Sequence, residues 1–127
     1  MITGTHAIIY AQDAEKARAF FRDVLDWPYV DAHGGWLIFK LPPAELGLHP
    51  AGDEGDPGAG ATSGHHELYL MCDDVAATVA GLAAKGVEFT TLVQDFGFGL
   101  LARLRVPGAG ELGLYQPKHP TAYDLST

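Results

Sequence analysis

A stretch near the start of the chain recurs in its middle, and this repeat constrains the fold more than any other feature. Sliding the sequence by 61 positions places His6 on Glu67 and Asp13 on Asp74. The end of each copy also matches, Glu45-Leu46-Gly47-Leu48-His49 returning as Glu111-Leu112-Gly113-Leu114-Tyr115 at an offset of 66. The second copy has therefore gained five residues, expected around 94–99. A chain of 127 residues is too short for two independent cores, so the copies are expected to be half-domains that share one.

Each copy has the same order of elements. Residues 5–11 alternate weakly and are rich in β-formers, which predicts a strand. Asp13 can cap the helix that follows, where Ala14, Ala17, Phe21, Val24 and Leu25 recur at helical spacing until Pro28. Short strands are expected at 28–32, 35–41 and 45–49. The second copy predicts a strand at 66–72, a helix at 74–85 capped by Asp74 and closed by Gly86, and strands at 87–93, 98–106 and 111–116. The expected fold is α+β: one domain, 1–127, of two tandem βαβββ modules (1–50 and 65–117) forming a curved sheet cup with helices on its outer face. A Gly, Ala, Pro, Asp and Ser linker over 51–64 joins the modules, and a tail over 118–127 shows no clear element.

Composition narrows the function. A formal charge of −8 with only eight Lys and Arg argues against nucleic acid, whose binding needs clustered cations. The absence of a long apolar run argues against a membrane span, and the N-terminus lacks the basic region of a signal peptide. A cytoplasmic protein with a small-molecule ligand is the expectation. The single Cys72 excludes an intramolecular disulfide, and mid-strand it reads as a small buried hydrophobe.

Strand alternation sorts the side chains into two faces. Ala7, Ile9, Leu46, Leu48, Leu68, Leu70, Cys72, Leu112 and Leu114 fall on one face, suited to packing under helices. The other face carries His6, His49, Glu67, Tyr69, Met71 and Tyr115, joined by Trp36, Lys40, Arg103 and Arg105 from the third strands. This mixture suits a ligand cup, although the solvated side of an antiparallel sheet is the plain alternative. Lys40, Arg103 and Arg105 favour an anionic or carbonyl-bearing ligand. Trp36, His49, Tyr69, Met71, Arg103 and Tyr115 are the candidate ligand-binding residues, and Glu67 beside His6 is the candidate acid–base pair.

The paired units, the His6…Asp13 and Glu67…Asp74 spacings and the ending Gly-Glu-Leu-Gly-Leu-Tyr-Gln-Pro resemble the vicinal oxygen chelate superfamily, which includes glyoxalases, bleomycin-resistance proteins and extradiol dioxygenases. The resemblance covers residues 6–117. It implies that a divalent ion (Fe, Mn, Ni or Zn), where one is held, takes a ligand from each first strand and a Glu from one or both last strands. His6 and Glu67 match the first-strand positions, but Gly47 and Gly113 occupy the last-strand ones and have no donor. His49 is a candidate third ligand, roughly 6.6 Å farther along its strand. The expected function is a binding protein of the bleomycin-resistance type with no complete metal site. The alternative is a metal-dependent glyoxalase or dioxygenase using His6, Glu67 and His49. The resemblance also implies a homodimer.

Overall fold

The computed structural model describes residues 1–52 and 61–126; most of the expected 51–64 linker lies outside the described residues. Its elements are helix α1 (Ala14–Ala19), continuing as a π turn (Phe20–Val24), strands β1 (Tyr29–Asp31), β2 (Leu37–Phe39) and β3 (Tyr69–Met71), helix α2 (Val75–Ala84), and strands β4 (Phe89–Asp95), β5 (Gly99–Val106) and β6 (Gly110–Pro117). The architecture is the expected α+β one, with helices on the outer face of an open sheet.

Asp13 and Asp74 start the two helices as expected. Their carboxylates accept from the N–H groups of Lys16 at 3.1 Å and Ala77 at 3.0 Å, each in the first turn. The first helix does not stay α-helical to its end. Leu25 N–H bonds back to Phe20 O, the wider winding of a π turn, and the adjacent Phe20 and Phe21 are thereby both buried, edge to face at 5.5 Å. Asp26, in the left-handed region at φ 59°, ends the element.

The second module holds the principal sheet, ordered β3-β6-β5-β4, with β3 parallel to β6 and the other pairs antiparallel. Ala102, Leu104, Val106, Leu112 and Leu114 alternate onto one face of it and bury there with Val75 and Leu82 of α2 and with Ala17, Phe20 and Phe21 of the first helix. One buried cluster thus draws on residues from both halves of the chain. Leu104 and Leu114 are almost wholly enclosed, and truncating either to Ala is worth about 2–5 kcal/mol.

The first module departs from expectation at two strands. Only β1 and β2 pair, as a hairpin; residues 5–10 and 41–49 form no ladder with any described strand. A strand pattern records the conformation a segment favours, whereas a ladder also needs a partner edge, and the hairpin and the principal sheet are separate sheets here. Leu46 and Leu48 are consequently 85% and 88% exposed, not packed beneath a helix.

Candidate ligand-binding site

The face of the principal sheet opposite the helices carries most of the candidate residues that come together. Three residues lie in one row across three strands, because Tyr69 registers with Gly113 on β6 and Gly113 with Arg103 on β5. Gly113 is the residue that makes this row work. A Cβ built there would overlap the Tyr69 ring. With no side chain in between, the ring lies across β6 and its hydroxyl reaches Arg103, whose Nη2 donates to it at 3.0 Å. The Arg103 guanidinium also stands 5.4 Å from the centre of the Tyr69 ring.

Tyr69 passes the chain on. Its hydroxyl donates to Glu67 Oε2 at 2.6 Å, and the other carboxylate oxygen of Glu67 lies 3.2 Å from His65 Nε2. The Tyr69 hydrogen bond, helped by His65 and the charge of Arg103, holds the Glu67 carboxyl below its ordinary value. Burial first, and then the bond to Glu67, push the Tyr69 phenol up. At neutral pH the site therefore presents a carboxylate, a protonated phenol and a guanidinium in one connected series.

A second tyrosine borders this series. The Tyr115 ring lies 6.4 Å from that of Tyr69, occupies the space a Cβ on Gly99 would need, and directs its hydroxyl to Phe98 O at 3.3 Å. His119 packs on its other side at 5.8 Å and approaches Glu45 Oε1 at 3.7 Å, while Glu45 Oε2 accepts from Ala122 N–H at 2.8 Å. The tail over 118–126 thus folds back toward the open face. Met71, paired in register with Tyr115, helps to line an open groove of about 220 Å³ with Cys72, Gln116 and Tyr123. Cys72, expected to be a small buried hydrophobe, is only half-buried, and burial raises its thiol.

Of the residues singled out from the sequence, Glu67, Tyr69, Arg103 and Tyr115 come together, with Met71 alongside. The others lie elsewhere. His6 is on the exposed N-terminal segment, with no hydrogen bond or ion pair to another described residue. His49 folds back over Gly47 of its own segment, and Trp36 packs under the Arg18 guanidinium at 4.8 Å, against the first helix. Both belong to the module whose outer strands are unpaired, so neither is carried to the principal sheet. Nor is the face a broadly cationic one, since Arg105 is engaged by Glu88 at 3.4 Å. Phe98 and His119 carry no sequence signal for the site; Glu45 falls on the cup face by strand alternation, and His65 reads from the sequence as a solvated strand start. His65 stands two residues before Glu67, so strand periodicity alone could have found it; Glu45 and His119 meet across a long sequence separation that leaves no local signal.

As a metal centre the arrangement does not fit. Among the described residues no three His, Cys, Asp or Glu side chains converge on one point. The space above Gly113, where the resemblance would put a donor, is taken by the Tyr69 ring. Glu67 is already engaged by a phenol and an imidazole. The arrangement can instead offer hydrogen-bond acceptors and a cation to a molecule resting on aromatic rings.

Known proteins bear on this geometry. The family model described as "Glyoxalase/Bleomycin resistance protein/Dioxygenase superfamily" matches residues 5–108. An antibiotic binding protein from Streptomyces sp. CB03234 is 24% identical with a TM-score of 0.56, the match covering 90% of this chain and 100% of that one. A lactoylglutathione lyase from Agrobacterium tumefaciens is 18% identical with a TM-score of 0.57, over 90% and 96% of the two chains. A superfamily member from Sphaerobacter thermophilus DSM 20745 is 21% identical with a TM-score of 0.61, over 91% and 98%. At these identities the likeness to the solved structures speaks for the fold. No curated protein matches the chain.

Proposed function

The chain belongs to the glyoxalase/bleomycin resistance protein/dioxygenase superfamily, and from that premise we propose that it is a small-molecule-binding protein of the bleomycin-resistance type. Its ligand rests on the open face of the principal sheet, held without a complete metal site. One observation carries the reading: the Tyr69 ring fills the space over Gly113 and ties Arg103 to Glu67. A metal-binding relative takes a donor from one or both last strands, where this chain has Gly47 and Gly113, whereas a binding protein is served by a rigid, prearranged polar surface.

The electrostatics support the same reading. A general base acts best with a pKa near the working pH, and Glu67 is shifted the other way. Its carboxylate is suited to accept a hydrogen bond from a ligand, while Arg103 is suited to a carbonyl or anionic oxygen. Similarity to an antibiotic binding protein agrees with such a role. Two copies pair as a homodimer through the unladdered segments 5–10 and 41–49, whose exposed Ile8, Ile9, Leu46 and Leu48 are costly to leave in water. The cytoplasm is the proposed place of action. No described helix is long and apolar enough to cross a membrane.

Native mass spectrometry of protein purified without chelator tests this. The expected spectrum shows an organic adduct or the bare chain. An adduct of one divalent ion per chain, lost on His6→Ala or Glu67→Gln, would overturn the reading in favour of a metal-dependent enzyme.

A further inference from the structure

Four aromatic rings form an unbroken series along the open face. Phe96 and Phe98 stack with centroids 6.1 Å apart and planes 18° from parallel; Phe98 meets Tyr115 edge-on at 6.1 Å; Tyr115 meets Tyr69 at 6.4 Å. None of the four belongs to the buried core cluster, and Phe96 and Phe98 are each 38% exposed. Phe96 and Phe98 gain little from this exposure by themselves, since part of their apolar surface remains in water.

The series is also held firmly. Phe98 O accepts from both the Tyr115 hydroxyl and Lys118 N–H, Phe96 N–H closes the turn on Gly99 O, and Lys118 Nζ clamps Asp95 at 2.7 Å. Gly97 N–H adds a bond to Asp95 Oδ1 at 2.8 Å. The turn between β4 and β5 thus presents its two phenylalanines in a fixed pose, which lowers the ordering cost of binding.

At its inner end the row of rings stops at polar groups. Arg103 shares the Tyr69 hydroxyl with Glu67, and Tyr69 is the only described residue to accept from its guanidinium. Rings along one side and a donor beside an acceptor at one end specify both the shape and the polarity of what fits. We infer that the ligand is a flat, fused-ring aromatic molecule bearing a phenolic or carbonyl oxygen on one rim, its rings stacking on Phe98 and meeting Tyr115 edge-on, and its oxygen accepting from Arg103. A phenolic oxygen would also donate to Glu67. The preference for flatness follows from ring electrostatics: an aromatic ligand gains offset or edge-to-face contacts that a saturated one of equal area does not. This inference rests on the reading of the sheet face as a ligand cup and names the chemical class that the cup takes.

Three probes separate the inference from its premise: 1-naphthol, naphthalene, and decahydro-1-naphthol, which keeps the oxygen but is not flat. Each is titrated into the isotope-labelled protein while the NMR signals of the Tyr69, Phe98, Arg103 and Tyr115 backbone are followed. The expected result is that 1-naphthol shifts these signals and binds at least about tenfold more tightly than decahydro-1-naphthol, with naphthalene between them. Phe98→Ala weakens both aromatic probes, and Arg103→Met removes the advantage of 1-naphthol over naphthalene. Equal binding of 1-naphthol and decahydro-1-naphthol at these residues would overturn the flat-ligand inference and leave the cup standing. If none of the probes moves these signals, the inference falls and so does the assignment of this face as the cup.

Discussion

The ring of Tyr69 lies across Gly113, its register partner on the neighbouring parallel strand, so closely that no side chain can be accommodated at position 113. Gly113→Ala therefore forces the ring aside or the strands apart. The expected cost is about 1–3 kcal/mol in urea unfolding, as for other overpacked sites. The double variant Tyr69→Ala/Gly113→Ala should cost less than the sum of the two single changes, because removing the ring removes the clash. A Gly113→Ala variant as stable as the parent would show that the ring does not depend on this space.

The hydrogen bond between Tyr69 and Glu67 has opposite consequences at the two ends of the pH scale. Glu67 is held below its ordinary value of 4.5, so its contribution to stability is complete above that pH and is lost as pH falls through the lower folded value. Tyr69 is raised above 10.0, so its contribution is complete below that pH and is lost as pH rises through the higher folded value. Glu67→Gln should flatten the acid limb of the stability curve below pH 4.5. It should also lower the alkaline titration of Tyr69, read from tyrosinate absorbance with Tyr69→Phe as the assignment, though not fully, since burial is the larger cause of that shift. Unchanged acid and alkaline limbs in Glu67→Gln would contradict the bond.

Gln116 secures the start of α2 from outside the helix. Its Oε1 accepts from the N–H of Val75, a wholly buried residue, at 2.9 Å. Gln116→Leu leaves that donor without a partner and should destabilise the chain by about 1–3 kcal/mol in urea unfolding. A change within measurement error would show that another group satisfies Val75.

The unladdered segments of the first module predict assembly. Gel filtration with light scattering at micromolar concentration should give twice the chain mass. Ile9→Asp with Leu48→Asp should give the single chain mass while circular dichroism stays unchanged, because both side chains lie on exposed segments outside the principal sheet. A parent protein that runs as a monomer would contradict the proposed pairing.

Much of the fold and part of the site are legible in the residues themselves. Leu112 and Leu114 alternate with Gly113 and Tyr115, and that period of two is enough to assign one face to the core and to set the other apart as the candidate face. The same rule groups Glu67, Tyr69 and Arg103. The first module is less readable, because a strand pattern at 5–11 or 45–49 encodes no partner, and the pairing it needs is a property of the assembled sheet. Trp36 resembles a cup residue by alternation but packs against Arg18, since its hairpin belongs to another sheet. The π turn that buries both Phe20 and Phe21, and the meeting of Glu45 with His119, depend on tertiary contacts that local periodicity does not contain.

The Tyr69 ring over Gly113 is the basis of the proposal that this face holds an organic ligand in place of a metal. Calorimetric titration of chelator-free protein with Zn(II) and Ni(II) tests that most directly. The predicted result is no saturable one-per-chain site at micromolar concentration. One-per-chain binding that disappears in Glu67→Gln would contradict it.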